Sequence, residues 1–193
     1  MNLPNRLTVG RFFLTVAFVV VVSVEFPYHY ALSLILFVLA ALTDYLDGEL
    51  ARRWRMITDF GKLMDPLVDK IMTAAAFVCL VPLRAIPAWA AIIVISREFL
   101  ITGLRLLATS KGQVLPADRI GKHKTSWQIA TVIFFLVLLS AREWLAQRGD
   151  LPGVWWEELW SYGGWAVSGI AVFLTLYSGI DYLWKHRAML ETE

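Results

Sequence analysis

Apolar residues fall into long runs along the chain, and short polar segments separate one run from the next. The six longest runs cover residues 8–24, 30–51, 59–81, 87–108, 125–139 and 163–183. An α-helix needs about 20 apolar residues to cross the hydrocarbon core of a bilayer, and most of the runs approach that length. The pattern therefore predicts six transmembrane helices, of which the first and the fifth are the shortest.

The overall composition also favours a membrane protein. Of the 193 residues, 58% are hydrophobic, and the mean hydropathy is +0.60, which is too apolar for an ordinary soluble domain. We expect a single all-α integral membrane domain over residues 1–193. The only cysteine is Cys79, which excludes an internal disulfide. The net charge of +2 gives no reason to expect a nucleic-acid partner.

The distribution of basic residues predicts how the helices are oriented. Lys and Arg are concentrated in alternate polar segments, at residues 1–11, 52–62, 111–124 and 185–187. Basic segments remain on the cytoplasmic side of a membrane, so we expect both termini in the cytoplasm. Residues 2–8 have the composition of a short interfacial helix. The predicted fold is therefore a six-transmembrane-helix bundle preceded by a short N-terminal interfacial helix.

Four aspartates lie near the polar turn between the second and third predicted spans. Asp44 and Asp47 precede the turn, and Asp65 and Asp69 follow it. A carboxylate within a membrane helix costs about 2.5 to 3.5 kcal/mol on insertion scales. Helical spacing places each pair on one face of its helix, and carboxylate oxygens suit Mg²⁺, Mn²⁺ or Ca²⁺. The spacing therefore predicts a divalent-metal site close to the cytoplasmic surface.

Small residues accompany these aspartates. Gly48 and Ala51 share the face of the first pair, Gly61 shares the face of the second, and Arg52 adds a cation. The missing side-chain bulk would allow a phosphate or a ligand backbone to approach closely. The alternative is that the small residues only pack helices together and that the aspartates cap helix ends. Capping accounts for one aspartate at each helix start, but it does not account for four on converging faces.

A second group of charged residues lies in the fourth span and the polar loop after it. Arg97 and Arg105 are eight positions apart, which places them within about 80° on one helix. Lys122 and Lys124 follow just before the fifth span. Arginine suits bidentate phosphate binding, so we predict a phosphate pocket here. The alternatives are lysine side chains that reach the membrane surface, which suits Lys124, and a structural pair between Arg97 and Glu98.

The aspartate region resembles a known signature. The chain reads Asp44-x-x-Asp47-Gly48-x-x-Ala51-Arg52, then eight residues, then Gly61-x-x-x-Asp65-x-x-x-Asp69. This pattern resembles the signature of the CDP-alcohol phosphotransferase family, and every specified position is filled. The resemblance implies a metal-dependent membrane transferase that works as a homodimer. It also implies that the four aspartates hold two divalent cations, Mg²⁺ or Mn²⁺, and that Asp69 acts as the catalytic base.

The resemblance extends to a branch within the family. Ser96-Arg97-Glu98, Leu104-Arg105 and Gly121-Lys122-His123-Lys124-Thr125 resemble the branch that uses sn-glycerol 3-phosphate as the acceptor. Asn5, Leu7, Thr8 and Arg11 resemble the N-terminal motif of the same branch. The implied donor is CDP-diacylglycerol, the implied nucleotide product is CMP, and the implied location is the bacterial inner membrane with the site facing the cytoplasm.

With this donor and acceptor, we assign roles to individual residues as a hypothesis. The acceptor phosphate would be held by Arg97, Arg105 and Lys122. The expected donor-binding residues are Asn5, Thr8, Gly48, Ala51, Arg52 and Gly61.

Two other functions stay open at this point. The first is a related transferase with another acceptor, such as inositol phosphate or phosphatidylglycerol. The second is a cation transporter, because carboxylates within a membrane often mark an ion pathway. Transporter sites usually lie near the bilayer midplane on broken helices, whereas these aspartates are close to one surface. A structural membrane scaffold would leave the four charges unexplained.

Overall fold

The fold of the chain is given by a computed structural model. The structure describes residues 3–54, 59–110, 119–150 and 153–187. At residues 3–7, 44–54, 59–66, 69, 119–120, 122 and 154 it describes the backbone alone. The described residues form helices and turns without any strand, which confirms the prediction of an all-α fold.

Six long helices account for most of the described chain. They are α1 (Leu3–Ser23), α2 (His29–Trp54), α3 (Asp59–Leu80), α4 (Ala88–Ser110), α5 (Arg119–Gln147) and α7 (Gly164–Lys185). A short helix, α6 (Val154–Glu158), precedes α7, and a π-helical turn at Leu159–Gly163 joins the two. The second, third, fourth and sixth predicted spans agree with α2, α3, α4 and α7 to within a few residues.

The fifth helix is longer than the apolar run alone predicts. It extends to Gln147, because the polar residues after the run are good helix formers without an intervening Gly or Pro. Gly149 ends it with a positive φ of 77°. The Asp150 amide donates to the carbonyl of Leu145, and the Gly149 amide donates to that of Ala146. This pairing is a Schellman motif, in which glycine is favoured because it adopts the left-handed conformation without strain.

The N-terminal segment corrects one detail of the prediction. We expected a separate short helix over residues 2–8, but α1 is continuous from Leu3. Pro4 lies in the first turn, where a missing amide hydrogen costs no helical hydrogen bond. The expected interfacial segment is therefore the first part of α1.

The helices pack around one apolar core. Helix α1 contacts α2 and α3, α2 contacts α5, and α5 contacts α7, while α4 lies against both α3 and α7. Aromatic residues fill the centre, among them Phe37, Phe77 and Phe135. Large apolar side chains also point away from the bundle, and the most exposed include Phe13, Ile35, Val78, Ile92 and Phe173. An apolar exterior of this kind is expected where a surface faces lipid or another protein.

Two described segments are long and apolar enough to cross a membrane, His123–Gln147 and Trp155–Lys185. Shorter apolar helical segments occur at Thr8–Ser23, His29–Thr43 and Lys70–Leu80. The number of six spans and the cytoplasmic position of the termini therefore remain predictions.

A carboxylate from α5 anchors the start of α2. Glu143 accepts hydrogen bonds from the backbone amides of His29 at 3.1 Å and Tyr30 at 3.2 Å. The Nδ1 atom of His29 also lies 3.0 Å from the same carboxylate. The first amides of a helix have no partner within the helix, and a negative charge at this end is favourable. Glu143 therefore fixes α2 to α5 at the end of the bundle opposite the aspartates.

We predict that Glu143→Ala destabilises the fold, because it removes the carboxylate that accepts from the Tyr30 amide and leaves the His29 amide and ring with the Phe26 carbonyl alone. The expected loss in the free energy of unfolding is about 1–2 kcal/mol, measured by denaturant unfolding in detergent. Glu157→Ala is the control, because Glu157 is an exposed carboxylate on α6 and should cost less than about 0.5 kcal/mol. Equal stability of the two variants would contradict the anchoring role.

Candidate functional site

The four aspartates lie on helical backbone. Asp44 and Asp47 belong to the second half of α2, and Asp65 and Asp69 belong to the first half of α3. Helical geometry places positions 44 and 47 within about 60° of each other around the axis, and positions 65 and 69 within about 40°. This backbone fits the predicted pairing of carboxylates on each helix. Their side chains lie outside the described residues.

A cavity of about 350 Å³ lies at this same end of the bundle. It is bounded by the C-terminal parts of α4 and α7, the start of α5, and Lys70 of α3, which directly follows Asp69. Its charged lining residues are Lys70, Arg97, Glu98, Arg105 and Lys124, and hydroxyl groups are added by Thr102, Thr125, Ser126 and Tyr182. We call it the basic cavity, because these residues include four cations and one carboxylate.

Glu98 is the centre of the basic cavity's charge network. Its side chain is only 4% exposed, and that of Lys124 is only 3% exposed; the lysine ammonium donates directly to the Glu98 carboxylate. Lys70 and Arg97 lie 3.7 and 3.5 Å from the same carboxylate. A buried charge is tolerated only when it is paired and hydrogen-bonded. Glu98 therefore draws cations from α3, α4 and α5 to one point.

Gln128 extends this network to α7. Its side-chain amide lies 3.4 Å from the Glu98 carboxylate and donates to the hydroxyl of Thr175 at 3.0 Å. Both Gln128 and Thr175 are fully buried. Because α3, α4, α5 and α7 all contribute, the network fixes the relative positions of four helices around the cavity.

The structure brings Arg97 and Arg105 to the same cavity. Arg97 donates to the hydroxyl of Ser178 at 3.1 Å, and Arg105 donates to the hydroxyl of Tyr182 at 3.2 Å. With Lys70 and Lys124 nearby, the cations outnumber the single carboxylate among the lining residues. Such a site suits an anion with several acceptor oxygens, such as a phosphate.

The structure bears on the two alternative roles of these charges, which were lysine side chains at the membrane surface and a structural pair between Arg97 and Glu98. Lys124 does not extend to the surface, because it is buried against Glu98. The pair between Arg97 and Glu98 does exist, yet Arg97 also lines the cavity. Lys122 lies in α5, but its side chain is outside the described residues. The assignment of Arg97, Arg105 and Lys122 to a phosphate stays a prediction.

The predicted donor-binding residues lie on three helices. Thr8 is buried in α1, and Asn5 belongs to the same helix. The remaining positions are on α2 (Gly48, Ala51 and Arg52) and on α3 (Gly61). Apart from Thr8, the side-chain environments of these positions lie outside the described residues, so the donor site also stays a prediction.

The assignment of the four aspartates to a metal site also stays a prediction. Among the side chains that the structure describes, no group of three or more His, Cys, Asp or Glu could hold a metal ion. The four aspartates are not among those side chains. What supports the assignment is their helical spacing and the hard oxygen donors they supply.

Four residues of the basic cavity and of the charge network around Glu98 were missed or undervalued in the sequence. Lys70 and Tyr182 were not singled out, Gln128 was not considered, and Glu98 was considered only as a partner for Arg97. A usable signal was present, because Lys124 and Gln128 are four positions apart on one helical face. A charged and an amide side chain repeated on one face of an apolar helix indicate a buried polar contact.

We predict that Glu98→Gln lowers the free energy of unfolding by about 3–5 kcal/mol, because it leaves a buried lysine without its counter-charge. The double variant Glu98→Gln with Lys124→Met should recover part of this loss, since it removes the orphaned charge as well. Denaturant unfolding in detergent measures both effects.

The matched control is Asp181→Asn. Asp181 pairs with Lys185 at 2.6 Å on the partly exposed side of α7, so its loss should cost less than about 1 kcal/mol. The buried network does not organise the site if Glu98→Gln costs no more stability than this control. The same conclusion follows if the double variant loses as much as Glu98→Gln alone and Lys124→Met alone lose together.

Comparison with known proteins supports the signature. The model of the CDP-alcohol phosphatidyltransferase family matches residues 1–177. A Bacillus subtilis (strain 168) protein is 36% identical over 204 residues, which cover 99% of this chain and 98% of that protein. A Salmonella typhimurium (strain LT2) protein is 36% identical over 194 residues, with 98% and 97% covered. A Rickettsia typhi protein is 32% identical over 182 residues, with 94% of each covered.

All three relatives carry the name CDP-diacylglycerol–glycerol-3-phosphate 3-phosphatidyltransferase. The family match spans all four aspartates and every described residue of the basic cavity except Tyr182. The likeness to the relatives runs over nearly the whole chain, so it includes the C-terminal helix as well. This protein belongs to the CDP-alcohol phosphatidyltransferase family.

Proposed function

We propose that this chain transfers the phosphatidyl group of CDP-diacylglycerol to sn-glycerol 3-phosphate, which forms phosphatidylglycerophosphate and releases CMP. The names of the relatives point to this reaction. The observation that carries it is the basic cavity, whose described lining combines four cations, Lys70, Arg97, Arg105 and Lys124, with one carboxylate, that of Glu98. A phosphate-bearing acceptor needs such a site, and Lys70 adjoins Asp69 of the signature.

The aspartates serve the donor in this proposal. Asp44, Asp47, Asp65 and Asp69 would hold two divalent cations, Mg²⁺ or Mn²⁺, since their carboxylates are the ligands these ions prefer. When bound, such ions neutralise the charge of a diphosphate during transfer. Small side chains next to the aspartates leave room for the cytidine diphosphate. The residues proposed to contact CDP-diacylglycerol are Asn5, Thr8, Gly48, Ala51, Arg52 and Gly61.

The basic cavity serves the acceptor. Arg97, Arg105 and Lys122 would hold the phosphate of sn-glycerol 3-phosphate, which fixes the position of its free hydroxyl. Asp69 would accept the proton of that hydroxyl. The hydroxyl oxygen forms a bond to the phosphorus that carries diacylglycerol, and the bond from this phosphorus to the CMP oxygen breaks. CMP leaves with the electron pair, and the phosphatidyl product remains in the lipid phase.

The membrane position follows the same reasoning. We propose six spans in the bacterial inner membrane, with both termini and the site on the cytoplasmic side and a homodimer as the working form. Exposed aromatic side chains support two interfacial belts. Trp155, Tyr162 and Trp165 lie at the end opposite the cavity, and Trp184 lies at the cavity end. A water-soluble acceptor could then meet a lipid-bound donor at one surface.

The test is the release of CMP from CDP-diacylglycerol in detergent. We predict release that depends on sn-glycerol 3-phosphate and stops when divalent ions are chelated. Asp69→Asn should lower the rate by at least about 100-fold without unfolding the protein, because the amide cannot accept the hydroxyl proton. Asp181→Asn, a carboxylate on α7 that does not line the basic cavity, is the control and should retain the rate.

Three results would count against this assignment. A near-normal rate in Asp69→Asn would contradict the role of Asp69 as the base. Full activity after chelation would contradict the role of divalent cations. Preferential use of inositol phosphate or phosphatidylglycerol would place the chain in another branch of the family.

A further inference from the structure

One face of α7 is polar although most of this helix is apolar. Thr175, Ser178, Gly179 and Tyr182 follow the spacing i, i+3, i+4 and i+7, which places them on one side of the helix. All four are buried, and α7 packs against α4 and α5 on this side of the bundle. Buried polar groups require partners, and two of the partners here are Arg97 and Arg105.

Gly179 and Ser178 shape the position of Arg97. A Cβ atom placed on Gly179 would lie 3.0 Å from Cγ and 3.7 Å from Nε of Arg97. The arginine stem therefore passes directly over the glycine, in space that any side chain would enter. The guanidinium then donates to the hydroxyl of Ser178 at 3.1 Å, which sets its direction at the cavity.

Tyr182 holds Arg105 in two ways. Its hydroxyl accepts a hydrogen bond from Nε of Arg105 at 3.2 Å, and the guanidinium carbon lies 5.2 Å from the centre of the ring. Because Nε is occupied, the two terminal nitrogens of Arg105 keep their donors for another acceptor. The tyrosine is 1% exposed, so its own position is fixed by packing.

We propose that Gly179 and Tyr182 are positioning residues that hold Arg97 and Arg105 in the orientation needed to bind the phosphate of the acceptor. This inference rests on the proposed function and assigns to α7 a part in recognising a phosphomonoester acceptor. Simple helix packing does not require these polar contacts, since an apolar residue at position 182 would fill the same space. The contacts are with guanidinium groups that line the basic cavity.

The test compares three variants with the wild-type protein by CMP release over a range of sn-glycerol 3-phosphate concentrations. Tyr182→Phe keeps the ring and its packing but removes the hydroxyl acceptor, so KM should rise about 3- to 10-fold while kcat stays within about two-fold. Gly179→Ala should raise KM in the same range, because the new methyl group displaces the stem of Arg97. Arg105→Ala is the reference and should raise KM further.

Gly169→Ala is the matched control. It makes the same change in the same helix at a position where a Cβ would have no neighbour within 4 Å, so KM and kcat should equal those of the wild type. Thermal unfolding of each variant identifies a loss of fold. If Gly179→Ala does not fold, Ser178→Ala replaces it, because it removes the hydroxyl to which Arg97 donates without adding bulk, and KM should again rise; Tyr182→Phe tests the contact with Arg105, because it preserves the packed ring.

The outcomes separate this inference from the proposed function. A raised KM with retained kcat in Tyr182→Phe, together with an unaffected Gly169→Ala, supports it. An unchanged KM in Tyr182→Phe, or a loss confined to kcat or to thermal stability, overturns it while the proposed reaction stands. A wild-type protein that releases no CMP with sn-glycerol 3-phosphate overturns both.

Discussion

The buried carboxylate of Glu98 is the interaction on which the cavity end of the bundle depends. A negative charge that is 4% exposed within an apolar bundle would be prohibitively costly without partners. Lys124, Lys70 and Arg97 supply them from three helices, and Gln128 carries the network to a fourth. The requirement to neutralise one charge therefore brings four helices together, and among the described residues that line the cavity the cations outnumber the carboxylate.

This arrangement explains why the cavity is both rigid and basic. These cations do not project freely into solvent, because Arg97 and Arg105 each have a hydrogen-bond partner on α7 and Lys124 is buried. Side chains that are held in place lose little conformational freedom when a ligand binds. At the far end of the bundle, Glu143 fixes the start of α2. The helix that carries Asp44 and Asp47 is thus attached to α5, which also contributes to the cavity.

Much of this fold can be read from the sequence, because apolar periodicity reports where helices must be. The helices α2, α3, α4 and α7 were predicted closely for that reason. The end of α5 was not, since Ser140, Arg142 and Glu143 interrupt the apolar run although the chain stays helical to Gln147, and helix propensity by itself leaves little hydropathy signal. The continuity of α1 was missed in a similar way, because its polar first turn looked like a separate element.

The candidate site could also be predicted only in part. The aspartate motif and the arginines could be recognised in the sequence, because charged residues within apolar runs are costly and usually functional. The pairing of Glu98 with Lys124 and the contact between Arg105 and Tyr182 join residues 26 and 77 positions apart. Spacing within one helix cannot predict which face of another helix it will meet. Those contacts depend on how α4, α5 and α7 pack, and only the structure supplies that.

Selection of the acceptor by the basic cavity through its phosphate is tested most directly by the ratio of kcat/KM for sn-glycerol 3-phosphate to that for glycerol. The two compounds offer similar hydroxyl groups and differ in the phosphate. A site built for a charged group rejects an analogue that lacks it, because its buried polar groups are left unpaired. We expect a preference of at least about 1,000-fold for the phosphorylated acceptor. Equal use of the two compounds would contradict the account.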